Sequence, residues 1–236
     1  MSVLLKDGSS VEDGRLTRIV EFDPRSKNFP ITAAVKSKKQ RSYTWRCLGW
    51  LDQGSEGSCV GHGVAHELIA RPAEAKNIDH KYAKETIYWE AQKIDPWPGG
   101  SYPGAEGGNY EGTSVLAGVK IAQKLGWFDS YRWAFSLEDL ILGVGHNGPA
   151  VMGVKWFTGM LDPDDKGFIH PIGNKVGGHC LLNRAVNVRD KFFTLRNSWD
   201  KDWGINGDCY ISFDNMDKLL HQSGEAVFFL KRHRKV

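Results

Sequence analysis

The sequence predicts an α+β fold in which a mainly helical part, residues 57–127, precedes a mainly β part, residues 128–236. In the first part apolar residues recur with a helical period, and each run ends near a proline or glycine. After Trp127 the pattern changes to short apolar stretches bounded by turn residues, which is typical of strands. Helices followed by strands indicate an α+β protein. The chain has 236 residues, enough for one substantial domain or for two lobes that share a cleft.

The first 43 residues are predicted to form an N-terminal extension, with the globular domain spanning residues 44–236. This extension is rich in charged and turn-forming residues, and only residues 18–22 show a short apolar alternation. Two alternatives stay open for it. It is either an ordered arm packed on the domain surface or a short pro-segment, with the basic run up to Arg41 as the site of cleavage.

Three helices are predicted before Trp127, each followed by a proline or glycine that ends it: residues 59 to about 70, 81–93 and 113–125. Thr113 or Ser114 is expected to cap the third helix, because a hydroxyl oxygen can accept a hydrogen bond from the first turn. Five strands are predicted after Trp127: residues 149–154, 179–188, 192–197, 209–213 and 226–230.

Charge and composition do not favour a nucleic-acid, membrane or metal partner. The net charge of +3 is small for a nucleic-acid binder, and no apolar run has the length of a membrane span or signal peptide. None of the four cysteines forms a Cys-x-x-Cys pair. His62 and His66 lie four apart, but Gly63 stands where a zinc protease has glutamate. We therefore expect no metal, no cofactor and a cytoplasmic location.

One cysteine is placed for reactivity. A Gly/Ser-rich loop leads to Cys59 at the predicted start of a helix. The N-terminus of a helix carries partial positive charge and free N–H groups, which favour the nucleophilic thiolate over the thiol. Gln53 lies just upstream, and its side-chain amide could donate a hydrogen bond to a developing oxyanion. A single buried cysteine is otherwise most often inert packing.

Two further motifs follow in chain order. A Gly-Gly-His sequence ends at His179, where a strand is predicted, and an Asn-Ser-Trp sequence begins at Asn197, followed by Trp-Gly at residues 203–204. Cysteine, histidine and asparagine in this order, with these local sequences, resemble the papain-like cysteine peptidases from about Trp45 to the C-terminus. The resemblance implies a two-lobe fold, with the active-site cleft between a helical lobe and an antiparallel β lobe.

The resemblance also implies a role for each of these residues. Cys59 would be the nucleophile, with its pKa lowered by His179 and by the helix N-terminus. His179 would protonate the leaving amine, and Asn197 would orient the imidazole. Gln53 and the backbone N–H of Cys59 would form an oxyanion hole. One such hydrogen-bond donor stabilises the transition state by on the order of 3 kcal/mol. Further residues would support this site or contact the substrate: Trp199 over the His–Asn pair, Trp203 on the leaving-group side, and Gly112, Thr113, Gly178 and Cys180 along the cleft.

Cys180 has a second interpretation. Adjacent residues of a strand point to opposite faces, so only one of His179 and Cys180 can face Cys59. Cys180 is therefore expected in packing or in a pocket wall.

The predicted activity is that of a cysteine endopeptidase, which hydrolyses polypeptide substrates through a thioester acyl-enzyme. Two alternatives stay open. An acyltransferase or amidase would use the same triad and the same thioester, and a papain-fold binding or structural module would use none of this chemistry. A cleft blocked by residues 1–43 without release would favour the module. The chain also resembles compact members encoded by phages and bacteria, and a phage-encoded protein would act in the host cytoplasm.

Overall fold

The structure is a computed structural model and describes residues 2–233. Its helices are α1 (Cys59–Ile69), α2 (Trp89–Ile94), α3 (Val115–Lys124), α4 (Leu137–His146) and α5 (Phe213–His221). Its strands are β1 (Val3–Leu4), β2 (Ser10–Val11), β3 (Arg18–Ile19), β4 (Tyr43–Thr44), β5 (Thr113–Ser114), β6 (Phe128–Ala134), β7 (Ala150–Phe157), β8 (Lys175–Asn187), β9 (Phe192–Arg196), β10 (Asp208–Ser212) and β11 (Glu225–Arg232).

A seven-stranded antiparallel sheet forms the centre of the molecule. Its strands lie in the order β10-β9-β8-β7-β11-β6, and β4 pairs with β8. Alternate residues of a strand point to opposite faces of a sheet. Accordingly, Cys180 and Leu181 of β8 belong to two different apolar clusters, and so do Phe228 and Phe229 of β11. One cluster joins the sheet to α1 and α3, and the other joins it to α4 and α5.

Helix α1 is buried along its whole length, and glycines make that burial possible. A Cβ atom on Gly61 would lie 2.1 Å from the carbonyl oxygen of Ala83. A Cβ atom on Gly63 would lie 2.7 Å from the sulfur of Cys180 in β8. Glycine lowers helix propensity, but here it lets the helix approach its neighbours closely. The helix that carries Cys59 is therefore held firmly against the strand that carries His179.

The helix predicted over residues 81–93 differs in the structure. Its first part, Tyr82–Tyr88, is a π-helix, and only the second part continues as α2. The third helix begins at Val115, two residues after the first residue of the predicted range 113–125. Ser114 is its N-cap, since the hydroxyl oxygen accepts a hydrogen bond from the N–H of Ala117 at 3.0 Å.

The part after Trp127 contains two helices that the sequence pattern did not predict. Helix α4 is apolar on most sides, and Gly143 packs against the ring of Phe228, where a Cβ atom would lie 2.4 Å from Cζ. Helix α5 starts directly at the end of β10, with Ser212 as its N-cap. The five predicted strands are present with β6 added to them, and α4 and α5 are interspersed among these strands.

None of the helices within residues 2–233 has both the length and the apolar composition needed to cross a lipid bilayer.

Candidate active site

Cys59 is the first residue of α1, and its side chain is completely buried. Its sulfur lies 3.9 Å from the hydroxyl oxygen of Thr17, a residue of the N-terminal extension. The preceding residue, Ser58, makes no capping hydrogen bond with its side chain. The thiol is therefore at a helix N-terminus, as predicted, but it lies beneath the protein's own chain.

His179 and Asn197 form a buried hydrogen-bonded pair. His179 lies in β8, and Asn197 directly follows β9, the antiparallel neighbour of β8. The imidazole Nε2 and the amide Oδ1 are 2.7 Å apart. The backbone N–H of Ser198 also donates to this Oδ1, at 2.8 Å. The other ring nitrogen of His179, Nδ1, is buried and makes no well-aligned hydrogen bond among residues 2–233, although contact with the Arg15 backbone acts to raise the pKa of the ring.

Two tryptophan rings lie against the His179 ring, and a third tryptophan packs on one of them. The rings of Trp156 and Trp199 each have their centroid 4.9 Å from that of His179. Trp203 packs edge-on against Trp199 at 5.3 Å, and its indole N–H donates to the carbonyl of Leu161 at 2.7 Å. Trp156 and Trp199 are buried, so these apolar rings keep water from the imidazole.

Gln53 is buried next to the loop that leads to Cys59. Its Nε2 donates to the carbonyl of Glu56 at 2.7 Å and to the carbonyl of Arg15 at 3.3 Å. Its Oε1 accepts a hydrogen bond from the hydroxyl of Ser198 at 2.7 Å. Gln53 thus connects the loop before α1 with the residue that follows Asn197.

Residues 13–19, here called the arm segment, cover these groups. Leu16 is completely buried, and its carbonyl accepts a hydrogen bond from the N–H of Gly178 at 3.1 Å. The hydroxyl of Thr17 donates to the carbonyl of Gly57 at 2.6 Å. At the end of the arm segment, β3 pairs in parallel with β5. At its beginning, the guanidinium of Arg15 lies 4.2 Å from the ring centroid of Trp199.

Three glycines line the groove that holds the arm segment: Gly112, Gly177 and Gly178. A Cβ atom on Gly112 would lie 2.4 Å from the carbonyl oxygen of Thr17. A Cβ atom on Gly178 would lie 2.2 Å from the carbonyl oxygen of Arg18. The groove is thus shaped to take an extended polypeptide backbone in close contact with its walls.

Comparisons with known proteins bear on the fold of the chain. No protein-family model matches the sequence. The chain is 19% identical over 242 residues to an uncharacterized peptidase C1-like protein of Acanthamoeba polyphaga mimivirus, a match that covers 80% of this chain and 75% of that protein. The crystal structure of xylellain, a cysteine protease from Xylella fastidiosa, is similar with a TM-score of 0.69 and 14% identity, over 94% of this chain and 98% of that one.

A further similar structure is digestive procathepsin L2 proteinase from the larval midgut of Tenebrio molitor. The TM-score is 0.55 at 16% identity, and the match covers 93% of this chain and 79% of that one. The chain has the papain-like cysteine protease fold. The predicted α+β class and the two-lobe architecture are thereby confirmed.

Within this papain-like fold, the groups at the covered site are neutral. Burial lowers the pKa of His179 to about 4, although its hydrogen bond to Asn197 opposes this shift. Burial also raises the pKa of the Cys59 thiol, against the hydrogen bonds from the Cys180 backbone and from Thr17. The expectation that the pKa of Cys59 is lowered is therefore wrong for the covered state. The reason is that the arm segment excludes water from both groups.

The remaining predicted cleft residues have different surroundings. Thr113 is buried and donates its hydroxyl hydrogen bond to Asp95 at 2.6 Å, and it pairs in register with Arg18 of the arm segment. Cys180 is buried in the apolar cluster with α1, where its sulfur faces Gly63. Of the two alternatives for Cys180, packing therefore fits its position. All four cysteines are free thiols.

His62 and His66 are both buried in α1. His62 contacts His80 at 3.0 Å between ring nitrogens, and His66 Nε2 accepts from the N–H of Leu51 at 3.0 Å. Within residues 2–233, no group of three or more histidine, cysteine or acidic side chains is placed to hold a metal ion.

Sequence reasoning missed three residues that shape this site: Gly153, Arg18 and Glu225. Arg18 and Glu225 form a buried ion pair across more than two hundred residues of chain. Arg18 opens the apolar alternation noted in residues 18–22, and Glu225 precedes a predicted strand. These local signals do not reveal which distant charge each residue meets.

Proposed function

We propose that this chain is a cysteine endopeptidase that hydrolyses peptide bonds through a thioester on Cys59. The observation that carries the proposal is the arm segment itself. An extended stretch of polypeptide already lies in the groove, beside the Cys59 thiol and along the strand of His179. A groove floored by glycines suits a polypeptide better than a small amide.

The hydrogen bonds around His179 give it the tautomer that this chemistry needs. Oδ1 of Asn197 is an acceptor only, and it already accepts from the N–H of Ser198. Nε2 of His179 must therefore carry the proton of the pair, which leaves the lone pair of the neutral ring on Nδ1. Nδ1 makes no well-aligned hydrogen bond in the described chain, so its lone pair can act as a base once the Arg15 backbone leaves with the arm segment.

The proposed reaction starts when Nδ1 of His179 takes the thiol proton of Cys59. The thiolate attacks the carbonyl carbon of the scissile peptide, and the oxyanion accepts hydrogen bonds from Gln53 and from the backbone N–H of Cys59. The imidazolium then protonates the leaving amine as the C–N bond breaks. Water hydrolyses the thioester, with His179 removing the proton from water and returning it to sulfur.

The covered state is proposed to be latent. The backbone carbonyl of Arg15 accepts a hydrogen bond from the side-chain amide of Gln53, the proposed oxyanion donor. Both Cys59 and His179 are fully buried. Because burial keeps the thiol and the imidazole neutral, the reactive ion pair cannot form until water and substrate enter. Displacement of the arm segment, or cleavage between it and the domain, therefore precedes turnover. The exposed basic residues 36–41 lie in that connection.

Digestion of a mixed peptide library, read by mass spectrometry, tests the proposal. The full chain and its Cys59→Ala variant are compared, each with and without Leu16→Ala, which weakens the buried contact of the arm segment. We expect peptide cleavage that Leu16→Ala increases and that Cys59→Ala abolishes. The same spectra show whether the N-terminus is trimmed. No cleavage by any variant, or cleavage that survives Cys59→Ala, would refute the endopeptidase and would favour a binding module.

A further inference from the structure

The side chain of Arg18 fills a pocket formed by three elements. Its side chain is only 1% exposed. Nε donates to Oε1 of Glu225 in β11 at 3.0 Å, and Nη2 donates to the same oxygen and to the carbonyl of Ser223 at 3.0 Å. Gly153 of β7 lies beside Nε of Arg18, and Val115 of α3 is next to Gly153. The pocket therefore offers one carboxylate and one carbonyl to a single guanidinium.

The room for this side chain comes from a glycine. Gly153 is the direct register partner of Glu225 in the β7–β11 ladder. A Cβ atom on Gly153 would lie 2.5 Å from Nε of Arg18 and 2.8 Å from Cγ2 of Val115. Any larger residue at this position would fill the pocket and separate Glu225 from its partner.

The pocket lies next to the reactive groups. Arg18 directly follows Thr17, whose hydroxyl is 3.9 Å from the Cys59 sulfur. Its backbone carbonyl lies against Gly178, the residue before His179. A side chain bound in this pocket would therefore belong to a residue very close to the bond that Cys59 attacks.

Departure of the arm segment leaves a negative charge at the base of this pocket. The Glu225 side chain is 14% exposed, and burial raises the pKa of its carboxyl against the attraction of Arg18. Glu21 lies near enough to add a second negative charge. A carboxylate in such surroundings is costly to leave unpaired, so the empty pocket favours a cation.

We propose that Glu225 makes this pocket a specificity site for an arginine side chain of the polypeptide substrate, and that Arg18 occupies it in the covered state. The proposal rests on the endopeptidase function proposed above. Arginine is preferred to lysine because its planar fork meets both the Glu225 carboxylate and the Ser223 carbonyl, whereas an ammonium is a single point charge.

The test uses the full chain with Arg18→Ala, which vacates the pocket, and with Arg18→Met, which removes the charge but keeps the bulk. Cleaved peptides from a library randomised around the cut are sequenced for each variant, alone and with Glu225→Gln. Binding of N-acetyl-arginine amide to the same proteins is followed by NMR, so that occupancy is measured without turnover. Glu138→Gln, the same change at an exposed carboxylate of α4, is the matched control.

We expect arginine to be enriched about 10²-fold over leucine at one position near the cut, and Glu225→Gln to abolish both this enrichment and amide binding. Gly153→Val is expected to have the same effect by filling the pocket, whereas Glu138→Gln retains the preference.

Cleavage without an arginine preference, or a preference that survives Glu225→Gln, would refute the arginine specificity of the pocket but not the proposed endopeptidase activity. Binding that depends on Glu225 without any cleavage would uphold the pocket and contradict the endopeptidase. Absence of both binding and cleavage in the folded Arg18→Ala and Arg18→Met variants would overturn both.

Discussion

At the residue scale, the orientation of two side-chain amides determines what the site can do. Asn197 presents its oxygen to His179, and Gln53 presents its nitrogen toward the groove. Ser198 fixes both amides, since its N–H donates to Asn197 and its hydroxyl donates to Gln53. One residue thus couples the base to the proposed oxyanion donor.

This geometry predicts the effect of removing the Gln53 donor. We expect Gln53→Ala to lower kcat by about 10²–10³-fold with little change in KM, because the lost hydrogen bond acts mainly on the oxyanion. Steady-state kinetics on the Leu16→Ala background, where the groove is accessible, measure the effect. The exposed Gln222 provides the control, since Gln222→Ala removes the same group far from the site. A variant of Gln53 with unchanged kcat would exclude it from the oxyanion hole.

At the element scale, the N-terminal segment is tied to the domain at several separate points. The Lys6 ammonium is 2.7 Å from the Asp95 carboxylate, and both side chains are fully buried. Strand β3 pairs with β5, and Leu16 joins the apolar cluster that contains Trp156. The extension is therefore an integral layer of the covered structure rather than a loose tail.

Two leucines in this segment provide a matched test of the covering. Leu16 is completely buried, whereas Leu4 is 46% exposed. Leu16→Ala is expected to weaken docking of the arm segment by about 2–5 kcal/mol, since it leaves a cavity, and Leu4→Ala is expected to do little. The rate of Cys59 alkylation by iodoacetamide reports exposure of the thiol. Equal alkylation rates in the two variants would show that the arm segment does not control access.

The chain's elements were predictable to the extent that local pattern determines them. The Cys59 helix, the Ser114 cap and the five short strands follow from capping residues and turn residues nearby in sequence. Helix α4 was missed because most of its residues are buried and apolar. Periodicity cannot distinguish a helix from a strand in such a continuous apolar run. The docking of the arm segment depends on contacts such as Arg18 with Glu225, for which nothing local gives a signal.

At the scale of the whole molecule, buried histidines make stability depend on pH. Burial lowers the pKa of both His179 and His62 to about 4, below their ordinary value near 6.5. Between these values the unfolded chain binds more protons than the folded chain, so stability is lost as the pH falls from about 6.5 toward 4. Raised carboxyl pKa values at Glu67 and Glu225 act with the opposite sign, so a variant is needed to isolate one histidine.

His179→Gln isolates this contribution. Between pH 7 and pH 5, the wild-type free energy of unfolding should fall by about 2 kcal/mol more than that of the variant, because the variant has no imidazole to protonate. Urea denaturation at both pH values measures the two differences. Parallel pH dependence in the wild type and in His179→Gln would show that the imidazole is not held neutral in the covered fold.

The central claim is that Cys59 becomes a nucleophile through His179 once the arm segment is displaced. The most direct measurement is the rate of labelling by an epoxysuccinyl inhibitor in Leu16→Ala, with and without His179→Ala, and with the adduct located by peptide mass mapping. We predict a single adduct on Cys59, formed about 10²-fold more slowly without His179. An adduct on Cys47 or Cys180 instead, or equal rates with and without His179, would contradict the account.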